Sequence, residues 1–331
     1  MSAPLLDPKL LAKLGTTQLR ARAVVEGILS GLHRSPHQGQ SVEFAEHKEY
    51  APGDELRHID WKAYGKVDRY YVKQFEHETN LRAFFVIDAS GSMGYRGAEG
   101  LSKLEYAAVL AASLSYLLVR QQDAVGLVIA RGKESRYLPP RAAMGHFPAI
   151  LHHLENLQGE GPTDLAAAAD WVAEKARRRA AIFVLSDLFD FSPGARAAEG
   201  GANATGASSR EARTKKVAPA TAGPISSHAL KRLTDLRRMK NEVTVFQLLD
   251  PWELEFPFED ATRFLGLEGE GELEVDPRAI RDSYLEEMNA LLDRSRRACR
   301  DADVDYELVR TDAALDRLLL RFLARRERGA A

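Results

Sequence analysis

The stretch Phe84-Phe85-Val86-Ile87-Asp88-Ala89-Ser90-Gly91-Ser92 decides the fold. A short, wholly apolar run with no polar alternation belongs to a strand buried on both faces, as in a parallel sheet covered by helices. The run stops at a carboxylate and is followed by two hydroxyls on a Ser/Gly turn. Three hard oxygen donors leaving a strand end suit a small divalent cation. The carboxyl end of a strand is also where open α/β sheets place their ligand sites. Taken alone, the same residues also fit, less well, a polar turn that merely closes a core strand.

The same grammar recurs downstream. Strand signals lie at 82–88, 123–130, 181–187, 242–249 and 304–310, and several of these runs are almost wholly apolar. Helical periodicity marks 102–121, 145–157, 164–178, 226–239, 277–301 and 313–326. This alternation predicts an α/β fold, a doubly wound and mostly parallel sheet flanked by helices. Val125 to Ala130 followed by Glu134 to Leu138 predicts a hairpin and one antiparallel edge strand. Upstream, residues 1–40 read as a helical N-terminal segment. Residues 41–80, with the turn Pro52-Gly53-Asp54, read as a small β-rich subdomain, and 81–331 as the main domain. Within that domain, 193–226 is rich in Ala, Gly, Ser and Thr and almost free of large apolar residues. It buries too little surface to offset ordering entropy and is expected to be a flexible insertion.

Composition removes several function classes. Hydrophobic residues at 45% and charged residues at 28% describe a globular protein, and a net charge of −2 gives no field for nucleic acid. The arginines of 294–297 and 321–328 alternate with other residues in helical patterns and read as solvated faces. A single cysteine, Cys299, excludes an intramolecular disulfide framework and is expected to pack as a small hydrophobe. The N-terminus carries no signal-peptide pattern, and no run approaches the ~18 apolar residues of a membrane span, so a cytoplasmic location without membrane insertion is expected.

Three segments would meet on one rim of a doubly wound sheet. They are Asp88-x-Ser90-x-Ser92, the Gly-rich loop Gly159 to Asp164 with Thr163, and Ser186-Asp187 after an apolar strand. Asp164 is expected to cap the following helix, and Ser186 to support the site by a hydrogen bond. The set Asp88, Ser90, Ser92, Thr163 and Asp187 resembles the metal-ion-dependent adhesion site of von Willebrand factor A domains. The stretch from Glu49 through Pro52, Gly53, Asp54, Arg57 and Asp60 to Trp61 and Lys62 resembles the signature of domain-of-unknown-function family 58 (DUF58). Asp250-Pro251-Trp252-Glu253 and Tyr306-x-x-Val309-x-Thr311 are similar to its later motifs, so the resemblance runs over about residues 20–326. It implies a von Willebrand A-like fold, a site for Mg2+ or Mn2+, and partnership with a MoxR-type AAA ATPase in a chaperone-like or assembly role.

The residues themselves support a particular use of such a site. Two carboxylates just balance a divalent charge, and neutral hydroxyls leave the ion electrophilic enough to accept an Asp or Glu from a partner. The expected function is therefore a metal-dependent protein-binding module without enzymatic activity. The alternative is a divalent-metal-dependent hydrolase of the phosphoester class, in which Asp88 and Asp187 would activate water. Against it, no general base or nucleophile elbow accompanies Ser90, and Gly94-x-x-Gly97-x-x-Gly100 has the wrong spacing for a dinucleotide. His146, His152 and His153 fall in a helical stretch and read as polar-face residues. The 49–62 stretch reads as an ion-paired turn, and Glu253 as a loop residue near the rim.

Overall fold

The computed structural model describes residues 8–11, 13–32, 47–49, 71–73, 81–97, 100–131, 134–162, 164–176, 179–189, 227–268 and 271–329. The sequence-predicted insertion at 193–226, most of the 49–62 stretch, and Thr163 lie outside these residues. By packing, the chain divides into a unit formed by residues 1–29 with 81–331, and a second formed by residues 30–80. In the second, β1 (His47–Glu49) and β2 (Tyr71–Lys73) form an antiparallel ladder with Lys48 opposite Val72.

The larger unit is built on six strands: β3 (Arg82–Asp88), β4 (Ala124–Arg131), β5 (Glu134–Arg141), β6 (Ala180–Ser186), β7 (Glu242–Leu249) and β10 (Asp305–Arg310). They lie in the order β10-β7-β6-β3-β4-β5. Every pairing is parallel except β4–β5, the expected hairpin at the edge. In the central register Val86 lies between Val128 and Val184. The chain moves outward from β3 through β4 to β5, then returns to the other side of β3 with β6. That reversal creates a crevice at the carboxyl ends of β3 and β6, which is where an open sheet admits a ligand.

Burial on both faces explains the apolar runs. Phe85, Ile87, Leu127, Phe183, Leu185, Phe246 and Val309 pack under one layer. That layer consists of α3 (Lys103–Arg120), α4 (Phe147–Glu155) and α9 (Leu315–Gly329). Phe84, Val86, Val128, Ile182, Val184 and Val245 face the other way, against α5 (Leu165–Lys175), α6 (Ser227–Arg238) and the end of α8 (Pro277–Asp301). The helical N-terminus joins the first layer. Leu11 of α1 (Pro8–Leu11) and Ala21 and Val24 of α2 (Thr17–Leu32) are buried in that core, and Arg20 reaches Glu105 at 3.3 Å. Between β7 and α8 the chain makes a short helix, α7 (Pro251–Glu255), and a two-stranded hairpin, β8 (Thr262–Leu265) with β9 (Glu272–Val275). The sequence pattern gives no sign of that hairpin, because its strands alternate partly buried and exposed residues and carry two glutamates. Among the described residues no helix is long and apolar enough to cross a membrane.

Phe183 stacks on Phe85 with ring centroids 5.0 Å apart and meets Phe246 and Phe322. Phe183→Ala is expected to lower stability by about 3–5 kcal/mol in urea unfolding, because the rings around it cannot collapse into the void. Cys299 is fully buried, and burial pushes its thiol up to about 11. The thiolate is therefore scarce at pH 8, and iodoacetamide is expected to label Cys299 only after unfolding.

Candidate metal and docking site at the sheet switch point

Asp88 ends β3 with its side chain fully buried. The Ser90 amide donates to Asp88 Oδ1 at 2.9 Å, closing an Asx turn that projects the next two hydroxyls to one side. Ser186, the last residue of the neighbouring β6, donates its hydroxyl to Asp88 Oδ2 at 2.6 Å. Both carboxylate oxygens are thus oriented before any ligand arrives. The Ser90 and Ser92 hydroxyl oxygens lie 3.0 Å apart and bond to one another.

The Gly-rich loop is fastened to this turn by its backbone. The Gly91 amide donates to the Gly161 carbonyl at 2.8 Å, and the Glu160 amide to the Ala89 carbonyl at 3.1 Å. Gly159 is required by contact: a Cβ there would come within 2.7 Å of the Ser90 carbonyl oxygen. Two of the three expected segments are therefore joined directly, although the Thr163 side chain itself is outside the described residues. Asp164 caps α5, its carboxylate accepting from the Ala167 amide at 2.9 Å.

The third segment is present with an unexpected partner. Asp187 is fully buried, and its Oδ1 accepts from the Phe189 amide at 3.0 Å. Its Oδ2 accepts from Lys103 Nζ at 2.8 Å. The same ammonium donates to Glu253 Oε1 at 2.6 Å. Lys103 is the first residue of α3, where the positive end of the helix dipole disfavours a cation. Burial also opposes its charge, yet the two carboxylates hold its pKa above the ordinary lysine value. Glu253 is in turn fixed by a capping box at the start of α7, where its Oε2 accepts from the Asp250 amide at 2.8 Å. The expectation that Glu253 is a loop residue is corrected here: it is helical and bonded to the rim. Lys103 was missed because an isolated lysine in an amphipathic helix carries no sequence signal. Leu188, next to Asp187, adopts φ 62°, a left-handed conformation that a bulky residue keeps only where surrounding bonds enforce it.

A fourth carboxylate arrives from outside the three segments. Glu268, at the tip of the β8–β9 hairpin, accepts from the Ser92 amide at 3.2 Å. Burial, before repulsion from Asp187 and Asp88, pushes its carboxyl up to about 7. Asp88 is likewise held above the usual carboxylate range, first by burial and then by Asp187. Asp88, Asp187, Glu253 and Glu268 thus share one rim with one ammonium.

Two octahedral cis ligands at magnesium bond lengths of about 2.1 Å would stand about 3 Å apart, the separation of the Ser90 and Ser92 hydroxyls. Among the described residues no three His, Cys, Asp or Glu side chains gather as a metal cluster of their own, so a cation here would lean on hydroxyls. The donor set is oxygen throughout, which suits Mg2+ or Mn2+ and not a thiol- or imidazole-seeking ion. On these grounds the residues fit a hard divalent cation. His152 and His153 lie in α4, whereas His146 precedes it in a 3-10 turn and is buried.

Lys103→Met leaves two buried carboxylates without a counter-charge, and with a chelator present it is expected to cost about 3–5 kcal/mol in denaturant unfolding. Adding Asp187→Asn should return part of that loss, because one of the uncompensated charges is then gone.

The uncharacterized protein Rv1480 of Mycobacterium tuberculosis (strain ATCC 25618 / H37Rv) is 26% identical over 332 residues, spanning 98% of this chain and 92% of that protein. The uncharacterized protein YeaD of Bacillus subtilis (strain 168) is 26% identical over 118 residues, covering 36% of this chain and 27% of that protein. Among solved structures, BatB from Bacteroides thetaiotaomicron is similar with a TM-score of 0.42 and 16% identity, covering 74% of this chain and 98% of that one. The SpRpn10 VWA domain is similar with a TM-score of 0.36 and 10% identity, covering 73% and 94%. The family described as "Protein of unknown function DUF58" matches residues 46–291, and the chain belongs to it.

Proposed function

We propose that this protein is a divalent-cation-dependent protein-binding module, without enzymatic activity of its own, that docks an acidic side chain of a partner. The observation that carries this reading is the buried pair of Ser90 and Ser92 hydroxyls, 3.0 Å apart beside an oriented Asp88. Ser90, Ser92 and Thr163 would hold Mg2+ or Mn2+ through neutral oxygens, with Asp88 and Asp187 balancing its charge. Both oxygens of Asp187 already accept from Lys103 and Phe189, which favours a role for that residue through water or through its field. The cation would supply a Lewis-acidic position able to accept a carboxylate oxygen.

The protein's own groups do the rest. Ser186 and the Ser90 amide keep Asp88 in one rotamer, the 159–161 loop shields the turn, and Lys103 holds the β6 end against α7. Resemblance to the family's described associations makes a MoxR-type AAA ATPase the proposed partner, in a cytoplasmic chaperone-like or assembly role. A phosphoester hydrolase is the second reading, with Glu268 at the Ser92 amide as the carboxylate placed to act as its base.

In a pull-down, the MoxR-type ATPase is expected to be retained with Mg2+ present. Retention should fall about tenfold or more with EDTA or in Asp88→Ala, the scale of losing a supporting group at a metal site. Binding that ignores both chelator and mutation would sink the cation-docking reading. Phosphoester turnover that vanishes in Asp88→Ala would replace it with the hydrolase.

A further inference from the structure

Among the described residues the β8–β9 hairpin makes only its own ladder and pairs with no strand of the six-stranded sheet, yet its tip reaches the Ser90–Ser92 turn. The approach is close. A Cβ on Gly91 would collide with the Leu267 carbonyl, so only glycine lets the hairpin tip seat there. Seated in this way, Glu268 places a carboxylate against Ser92. Asp88 and Asp187 both repel that carboxylate, and a divalent cation between them would turn the repulsion into attraction. Leu265 and Leu267 remain about half exposed, at 56% and 48%, so lifting the tip uncovers little apolar surface. Phe264 of β8 packs on Phe256 and Phe258, which anchors the strands and leaves the tip beyond Leu265 as the part that moves.

We propose that Glu268 is the chain's own carboxylate for the cation position at Ser90 and Ser92, occupying the place that a partner's Asp or Glu takes on docking. This inference rests on the cation-docking reading above and adds to it a mechanism of selectivity. A tethered carboxylate acts at an effective concentration on the order of millimolar, so a single acidic side chain from solution competes poorly. A partner that also grips the hairpin or its surroundings replaces one carboxylate by another while adding contacts of its own. Docking then requires the hairpin tip to withdraw, and only a multi-contact acidic partner achieves it.

The test uses the full chain and Mn2+ as the probe, with free ion counted by electron paramagnetic resonance. Wild type is expected to bind, Ser90→Ala to lose binding, and Glu268→Gln to bind about tenfold more weakly, with acetate restoring most of that loss. Acetate should do little for wild type. In parallel, Mg2+ is expected to slow amide exchange of residues 262–275 in wild type and not in Glu268→Gln. If Glu268→Gln binds Mn2+ as wild type does, or wild-type hairpin exchange ignores Mg2+, this inference falls while cation docking stands. If wild type binds no more Mn2+ than Ser90→Ala, the docking reading itself falls, and the Glu268 role with it. The wild-type exchange measurement needs no variant, so a poorly folding Glu268→Gln would not leave the question open.

Discussion

The Lys103 ammonium, buried between Asp187 and Glu253, is the interaction on which the rim depends. The three residues come from three connections: Lys103 opens the helix after β3, Asp187 follows β6, and Glu253 lies in the helix after β7. One cation at the wrong end of a helix dipole thereby ties together segments that packing alone would only bring near one another. Without it two carboxylates would be buried with no counter-charge, a cost that hydrophobic burial in the layers above and below does not offset locally.

That tie also sets the electrostatics of the neighbouring turn. Lys103 balances only one of the two charges on Asp187 and Glu253, so Asp88 meets both burial and repulsion from Asp187 with hydrogen bonds from Ser186 and Ser90 to help. The left-handed Leu188 and the contact-limited Gly91 and Gly159 cluster at the same place. Backbone strain, close approach and uncompensated charge thus coincide at the switch point of the sheet. Folds hold such features where a ligand will later relieve them.

The fold was legible because two-sided burial leaves a one-dimensional trace. Runs such as Ala181 to Leu185 and Val243 to Leu249 carry no polar alternation, and only strands covered on both faces tolerate that. The Asp88-x-Ser90-x-Ser92 turn, the Asp164 cap and the supporting hydroxyl of Ser186 were legible as well, since each is a local hydrogen-bonding device. The β8–β9 hairpin was not, for its strands are half exposed and rich in glutamate, and its stability comes from aromatic contacts among Phe256, Phe258 and Phe264. Lys103 and Glu253 were hidden for a related reason: an ion pair 150 positions apart leaves no periodicity.

By itself, then, the sequence determined the layered α/β architecture, the edge hairpin and the hydroxyl-bearing turn, because these follow from local propensity and from the pattern of burial along the chain. Tertiary structure alone decided which charges meet: that Asp187 is committed to Lys103, that Glu253 completes that pair, and that Glu268 comes to Ser92 from a distant hairpin. Electrostatic interactions depend on separation in space and on the water removed between the groups. Neither quantity is written in the order of residues along the chain.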